Sequence, residues 1–179
     1  SITGTAAADV DSEIWAAGLE LGYRIGLGST TVVTPYAGLD YVDAEIDGFT
    51  ETGVPGANLT LTGAEDDYLT SELGLKLGFE LGGIYPELKA GWRHSFEEDP
   101  TLIGVSFADA PAGSDFIVQG PARDEDALVL GAALNFGLGT NLTGEIGYEG
   151  WIANNHEVHS GGLTLRYNFG GAPVPPPPP

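Results

Sequence analysis

Between residues 13 and 28 every second position is apolar: Trp15, Ala17, Leu19, Leu21, Tyr23, Ile25 and Leu27. The same alternation runs through 32–46, 68–82, 84–97, 127–138, 141–151 and 157–169. The third of these segments carries Leu69, Leu73, Leu75, Leu77, Phe79 and Leu81; the fourth carries Pro86, Leu88, Ala90, Trp92 and Phe96. A period of two sends successive side chains to opposite faces of a strand, so the pattern predicts seven strands, each with one apolar face. Most run ten to fifteen residues. That exceeds the usual strand of about 5–6 residues and suits the roughly 9–11 that a tilted membrane-spanning strand requires.

The connections alternate in length. Tight turns rich in Gly, Ser, Thr and Asn follow the first, third and fifth strands (27–30, 81–83 and 137–141), whereas long acidic stretches follow the second (47–67) and the fourth (97–126). Within the latter, TLIGVSF and DFIVQG flank a turn-like DAPAGS and predict an extra hairpin, either a pair of new strands or an extension of strands four and five. LELGYRIGLG (19–28) and SELGLKLGFELG (71–82) form a weak internal repeat that aligns Glu20 with Glu72, Gly22 with Gly74, Arg24 with Lys76 and Gly26 with Gly78. Pro35 and Pro86 stand near the starts of the strands that follow, where a missing ladder hydrogen bond is tolerable. Hairpin repetition with tight turns at one end and long loops at the other predicts an antiparallel up-and-down meander.

Alternation alone does not say which face is inside. The basic residues do. Arg24, Lys76, Lys89, Arg93 and Arg166 share the polar parity of their strands, and only Arg123 of the six falls in a loop. A Lys or Arg facing lipid at mid-membrane costs about 2–4 kcal/mol. Glu20, Asp40, Glu72, Glu80, Glu87, Glu145 and Glu149 share the same parity. The expectation is a lumen charge network of Glu20, Arg24, Asp40, Glu72, Lys76, Glu87, Lys89, Arg93, Glu145, Glu149 and Arg166, with the apolar set turned outward to lipid. Glycines at 18, 22, 26, 38, 74, 78, 91, 131 and 147 lie on or beside these strands, as a crowded barrel interior requires. Aromatic residues gather in two belts: Trp15, Tyr41, Trp92, Phe96, Tyr148 and Trp151 toward the loops, and Tyr23, Phe79, Tyr85, Phe136, Tyr167 and Phe169 toward the turns. Trp151 and Tyr85 have the opposite parity to the rest. A soluble lipocalin-like barrel, apolar inside and charged outside, shows the same alternation and is the competing reading.

Composition narrows the function. The 179 residues hold no Cys and no Met, but 28 Gly and 12 Pro; 26 acidic against 6 basic residues give a net charge of −20. Nucleic acid is excluded as a partner, since phosphate binding needs clustered cations. Disulfides and thiolate metal sites are excluded by the lack of cysteine. The acidic surplus falls at the loop end, where the residues are solvated or bridge Ca²⁺ or Mg²⁺ to one another or to lipopolysaccharide; no spacing matches an EF-hand, and no metal ligand is assigned. His94, His156 and His159 have acidic neighbours, yet neither a nucleophile elbow nor an HExxH zinc motif is present, so no catalytic residue and no cofactor is assigned. NLT at 58–60 and 141–143 matches a glycosylation sequon.

Six stretches, SEIWAAGLELGYRIGLG, TPYAGLDY, DGFTETG, PELKAGWRHSF, DALVLGAALNF and VHSGGLTLRYNF, resemble in order the translocator barrel of autotransporter (type V secretion) proteins over residues 12–169. The resemblance implies an all-β, antiparallel up-and-down transmembrane β-barrel in the bacterial outer membrane, with long loops extracellular and the C-terminus periplasmic. It implies a barrel that anchors or translocates an attached segment. Its closing strand resembles the β-signal read by the barrel-assembly machinery, with Tyr167 and Phe169 as the aromatic positions and Thr164 where the signal usually has Gly. The tail GGAPVPPPPP (170–179) is instead similar to the hinge of an OmpA-like protein, a structural barrel tethered to peptidoglycan through a further domain. Ten residues of polyproline II reach roughly 30 Å. The implied domains are an N-terminal loop or short strand (1–11), the barrel (12–169) and a Pro-rich periplasmic linker (170–179). Seven strands do not close a usual bacterial barrel. Either 1–11 supplies an eighth, or the chain is the C-terminal part of a barrel of about twelve strands.

Overall fold

A computed structural model describes residues 4–97, 99–111, 113–120 and 124–169. The Pro-rich segment 170–179, residues 1–3 and Arg123 lie outside the described residues. Among the described residues every regular element is a strand: β1 (Ser12–Gly22), β2 (Ile25–Gly26), β3 (Thr31–Ile46), β4 (Phe49–Thr50), β5 (Leu59–Leu61), β6 (Ala64–Phe79), β7 (Ile84–Ser95), β8 (Leu102–Phe107), β9 (Phe116–Gln119), β10 (Asp126–Gly137), β11 (Leu142–Ile152) and β12 (Glu157–Tyr167). One antiparallel sheet runs in the order β1-β3-β6-β7-β10-β11-β12, with the short β2 added beside β3. Each long strand pairs with its sequence neighbour among the long strands, which is the meander that the alternating patterns predict. Residues 4–11 form no strand among the described residues; Ala7 makes an isolated bridge to Thr52. Among the described residues this segment does not supply the eighth strand that was one of the two alternatives.

The chain divides into two compact units, 18–39, 70–95 and 124–179 in one and 1–17, 40–69 and 96–123 in the other. The first holds β7, β10, β11 and β12 whole. Its register sets Leu88 opposite Leu77 and Ala132, Trp92 opposite Leu73 and Leu128, and Leu134 opposite Ile146. Apolar residues therefore line up row by row on one face. Among the described residues that face is uncovered: Leu21, Leu75, Leu88 and Leu163 are 67%, 55%, 53% and 65% exposed. The opposite face holds the buried residues Tyr36, Thr70, Glu72 and Val129. This is a sheet whose greasy side is bare and whose charged side is packed. The turn after β6 bends through Gly82 and Gly83, both at positive φ (62° and 97°), a conformation that other residues adopt at a cost.

The second unit departs from expectation. β8 and β9 form the anticipated hairpin, pairing Ile103 with Val118 and Val105 with Phe116. It neither extends the long strands nor adds to their sheet. It joins β4 and β5 in a separate four-stranded sheet, β4-β5-β8-β9, in which Leu59 pairs with Phe107 and Leu61 with Val105. Acidic side chains hold this unit together rather than merely solvating it. Asp109 accepts the Gly56 N–H at 3.0 Å, Glu51 the Leu59 N–H at 3.0 Å, and Asp66 the Thr101 hydroxyl at 2.7 Å.

A similar device fixes the β11–β12 loop in the first unit. Asp124, whose side chain is 5% exposed, accepts the Asn155 backbone N–H at 2.9 Å and side-chain N–H at 2.6 Å, and lies 2.8 Å from His156 Nδ1. The Asn155 backbone bond, with Asn155 and His156 side chains adding, holds the Asp124 carboxyl below its ordinary value of 3.8 against the opposing effect of burial. A depressed carboxyl stabilises the folded loop above the unfolded-chain value and loses that effect as pH falls through the lower folded value. An NMR titration in detergent micelles is expected to show a step in the Asn155 amide resonance at a pH below 3.8. Asp124→Asn removes that step.

Candidate functional site

The charged face is built around three strands' worth of missing side chains. Gly74 and Gly91 are register partners on β6 and β7, and the Tyr36 side chain from β3 lies across both. A Cβ at Gly74 or Gly91 would fall 2.5 or 2.6 Å from the Tyr36 hydroxyl, so the ring occupies the space that side chains there would need. The Tyr36 hydroxyl, at the far end of the ring, donates to Glu72 Oε1 at 2.7 Å. Gly131 does the same for lysine. It stands between Lys89 on β7 and Glu149 on β11 in the register, and Lys89 reaches across the bare backbone of β10.

Lys89 Nζ is the meeting point. It lies 2.8 Å from Glu72 Oε1 and 2.7 Å from Glu149 Oε2. Glu72 also faces Arg93, 3.7 Å away, while Arg93 donates to the Thr70 hydroxyl at 2.9 Å. The Arg93 guanidinium lies 4.1 Å from the centre of the Trp151 ring, and Trp151 Nε1–H donates to Glu149 Oε1 at 3.0 Å. Trp151 thus belongs to the charged face and not to the loop-side aromatic belt. Its anomalous parity has a cause: it stacks on a cation. Lys76 pairs with Glu20 of β1 while lying over the Tyr36 ring at 4.7 Å.

Three cations (Lys76, Lys89, Arg93) and three carboxylates (Glu20, Glu72, Glu149) therefore balance within one network. Lys76 and Lys89 stand directly opposite in the register, a placement that like charges disfavour. Each has its own carboxylate, and the face of Tyr36 lies within 4.7 and 5.2 Å of the two ammonium groups. Among the described residues no buried side-chain nitrogen or oxygen lacks a hydrogen-bond partner.

Not every expected member joins. Glu87 and Glu145 line a trough of about 280 Å³ beside Lys89 and Glu149, floored by Gly131, Gly147, Gly161 and Gly162. Arg166 and Glu145 share a smaller recess with Asn135. Arg24 is exposed between β1 and β2, and Asp40 is half-buried on β3. Neither is in an ion pair among the described residues. Tyr167 packs edge-to-face on Phe169, with ring centres 4.7 Å apart, and Phe169 lies just past the end of β12. Tyr36, the hub of the packing, was not singled out from the sequence; the signal was its shared parity with Gly38 and Asp40, facing two glycines on the next strands.

A family model of the autotransporter beta-domain matches residues 1–149. The chain belongs to that family. Relatives of this autotransporter β-domain include outer membrane protein B of Rickettsia prowazekii (strain Madrid E), 26% identical over 172 residues, and of Rickettsia japonica (strain ATCC VR-1363 / YH), 25% identical over 178. Each alignment covers 92% of this chain and 10% of the relative, so the chain spans about a tenth of the length of the curated relatives it matches. These matches give the OmpA-like alternative no support.

Removing one partner from a buried ion cluster leaves the others unpaired, at a cost of about 3–5 kcal/mol. Glu72→Ala in this β-domain is expected to lower stability by that order in urea unfolding from lipid vesicles, more than Glu87→Ala does. Gly91→Ala forces Tyr36 off its seat and is expected to cost about 1–3 kcal/mol. In a double-mutant cycle with Tyr36→Ala most of that penalty disappears, whereas a penalty unchanged in the cycle would separate Gly91 from Tyr36.

Proposed function

We propose that this chain forms part of the wall of an outer-membrane autotransporter translocator, with its charged face toward the lumen and its apolar face toward lipid. One observation carries the reading. The neutralised ion cluster, centred on the buried Glu72, and the uncovered leucine rows lie on opposite faces of the same strands, the reverse of a soluble barrel. In water, rows of exposed leucines are an aggregation liability; in hydrocarbon they are at home. The relatives' name, outer membrane protein B, supports the same location.

In a bilayer each backbone polar group needs an internal partner, so the edges β1 and β12 pair with further strands in the working barrel. The long acidic loops then face outward and the tight turns face the periplasm. The barrel anchors or translocates an attached segment, and Tyr167 with Phe169 closes the last strand as the signal for the barrel-assembly machinery. The network of Glu20, Glu72, Lys76, Lys89, Arg93 and Glu149 stiffens the wall around the lumen. Arg24, Asp40, Glu87, Glu145 and Arg166 add charge to that surface without cross-linking it.

The protein is expected to resist extraction by salt and carbonate, to dissolve in detergent and to migrate on gels in a heat-modifiable way; release by carbonate would sink the reading. Leu88→Arg is expected to cost about 2–4 kcal/mol in lipid, whereas Leu88→Phe costs little. Because the chain has no cysteine, single-cysteine labelling reads orientation directly. In intact cells Ser114→Cys in the β8–β9 loop is expected to react with an impermeant maleimide, and Ser29→Cys in the β2–β3 turn only after lysis.

A further inference from the structure

Away from the charged face, three ligand-bearing side chains converge at one end of the β7–β10 pair. His94 is the penultimate residue of β7 and Asp126 the first of β10, and the two are register partners. The backbone bond from Ser95 N–H to the Glu125 carbonyl, 2.7 Å, continues the ladder and brings Glu125 alongside. His94 has the parity of Leu88 and Trp92, so it stands on the apolar face beyond Trp92, toward the loop end. Its Nδ1 is 3.1 Å from Asp126 Oδ1 and 3.8 Å from Glu125 Oε1. One potential ligand atom from each of the three lies within 4.8 Å of the other two.

We propose that His94, Glu125 and Asp126 form a binding site for a divalent transition cation of the zinc class. Ligand atoms held about 2.1 Å from a tetrahedral Zn²⁺ stand roughly 3.4 Å from one another. The two separations from His94 Nδ1, 3.1 and 3.8 Å, bracket that value; the shorter is a hydrogen bond to Asp126 Oδ1 that would be exchanged for bonds from both groups to the ion. An imidazole among the donors favours Zn²⁺ and its transition-metal neighbours over Ca²⁺ and Mg²⁺, which prefer all-oxygen sets. The carboxylate is already oriented: Trp92 Nε1–H donates to Asp126 Oδ1 at 2.8 Å, the kind of outer partner that fixes a metal ligand. Three protein ligands leave a fourth position for water or an external anion. The side chains of Glu125 and Asp126 are 53% and 55% exposed, so an ion has a path in. Bound there, it would clip the end of β7 to the start of β10 and fasten both stems of the long excursion between them.

The test uses the full chain in detergent micelles, stripped with a chelator and titrated calorimetrically with Zn²⁺ in excess Mg²⁺ to silence the acidic loops. One saturable Zn²⁺ per chain is expected, with a chelator-reversible rise in Tm. His94→Ala and Asp126→Asn abolish the saturable step, and Trp92→Phe weakens it about tenfold. His159→Ala, which removes a comparable histidine 3.4 Å from Glu157, leaves it intact. Heat-modifiable migration shows that each variant is folded. Absence of saturable binding in Mg²⁺, or equal Zn²⁺ binding by folded His94→Ala, overturns the site without touching the barrel reading.

Discussion

An ammonium group shared between two carboxylates sets the terms for the charged face. Lys89 is half-buried against the sheet, and a lysine so placed is stabilised by anionic partners within hydrogen-bond reach on more than one side. Glu72 comes from the preceding strand and Glu149 from two strands beyond, each within 3 Å of Nζ. Satisfying both requires Lys89 to lie flat over β10, and that is why the position between them is glycine. An added Cβ at Gly131 would be 3.1 Å from the Lys89 Cβ and 3.6 Å from its Cδ. The same demand for clearance repeats at Gly74 and Gly91 beneath Tyr36. Glycine weakens a strand in isolation, yet here it lets long side chains cross-brace strands that share no backbone hydrogen bonds.

Bracing through side chains gives the sheet a source of cohesion that needs no apolar core. Hydrophobic burial between layers, the usual source of stability in a soluble sandwich, is unavailable when the apolar face is left for another solvent. Stacking joins the ionic contacts: Arg93 on Trp151 and the two lysines about Tyr36 place cations against aromatic faces. The result is locally neutral. A net charge of −20 is therefore carried elsewhere, and much of it sits on loop carboxylates, several of which receive backbone and hydroxyl hydrogen bonds.

The long strands were legible because period-two patterning with bulky residues leaves little choice of face. β7, β10 and β12 begin or end within about two residues of the patterned segments, the ordinary uncertainty of strand ends. The short strands were not legible: β4 and β5 have two and three residues, too few for a period, and the further partner of β5, β8, lies more than 40 residues along the chain. At the site, parity sorted residues to a face but could not say which meet. Glu72, Lys89, Arg93 and Glu149 converge, whereas Arg24 and Asp40, of the same parity, stand apart. Trp151 had the wrong parity for a lipid-facing belt; the stack with Arg93 and the hydrogen bond to Glu149 explain it. Tyr36 was invisible for the opposite reason, because its partners are recognised by what they lack.

The sheet formed by β4, β5, β8 and β9 is knit by main-chain hydrogen bonds between two loops far apart in sequence, with Val54 and Val105 buried in the same unit. Main-chain bonds do not depend on which side chains the strands display. Side-chain changes on the stems Leu102–Phe107 and Phe116–Gln119 can thus be absorbed without loss of register, whereas Asp109, which accepts the Gly56 N–H, is a side chain on which the sheet's loops do depend.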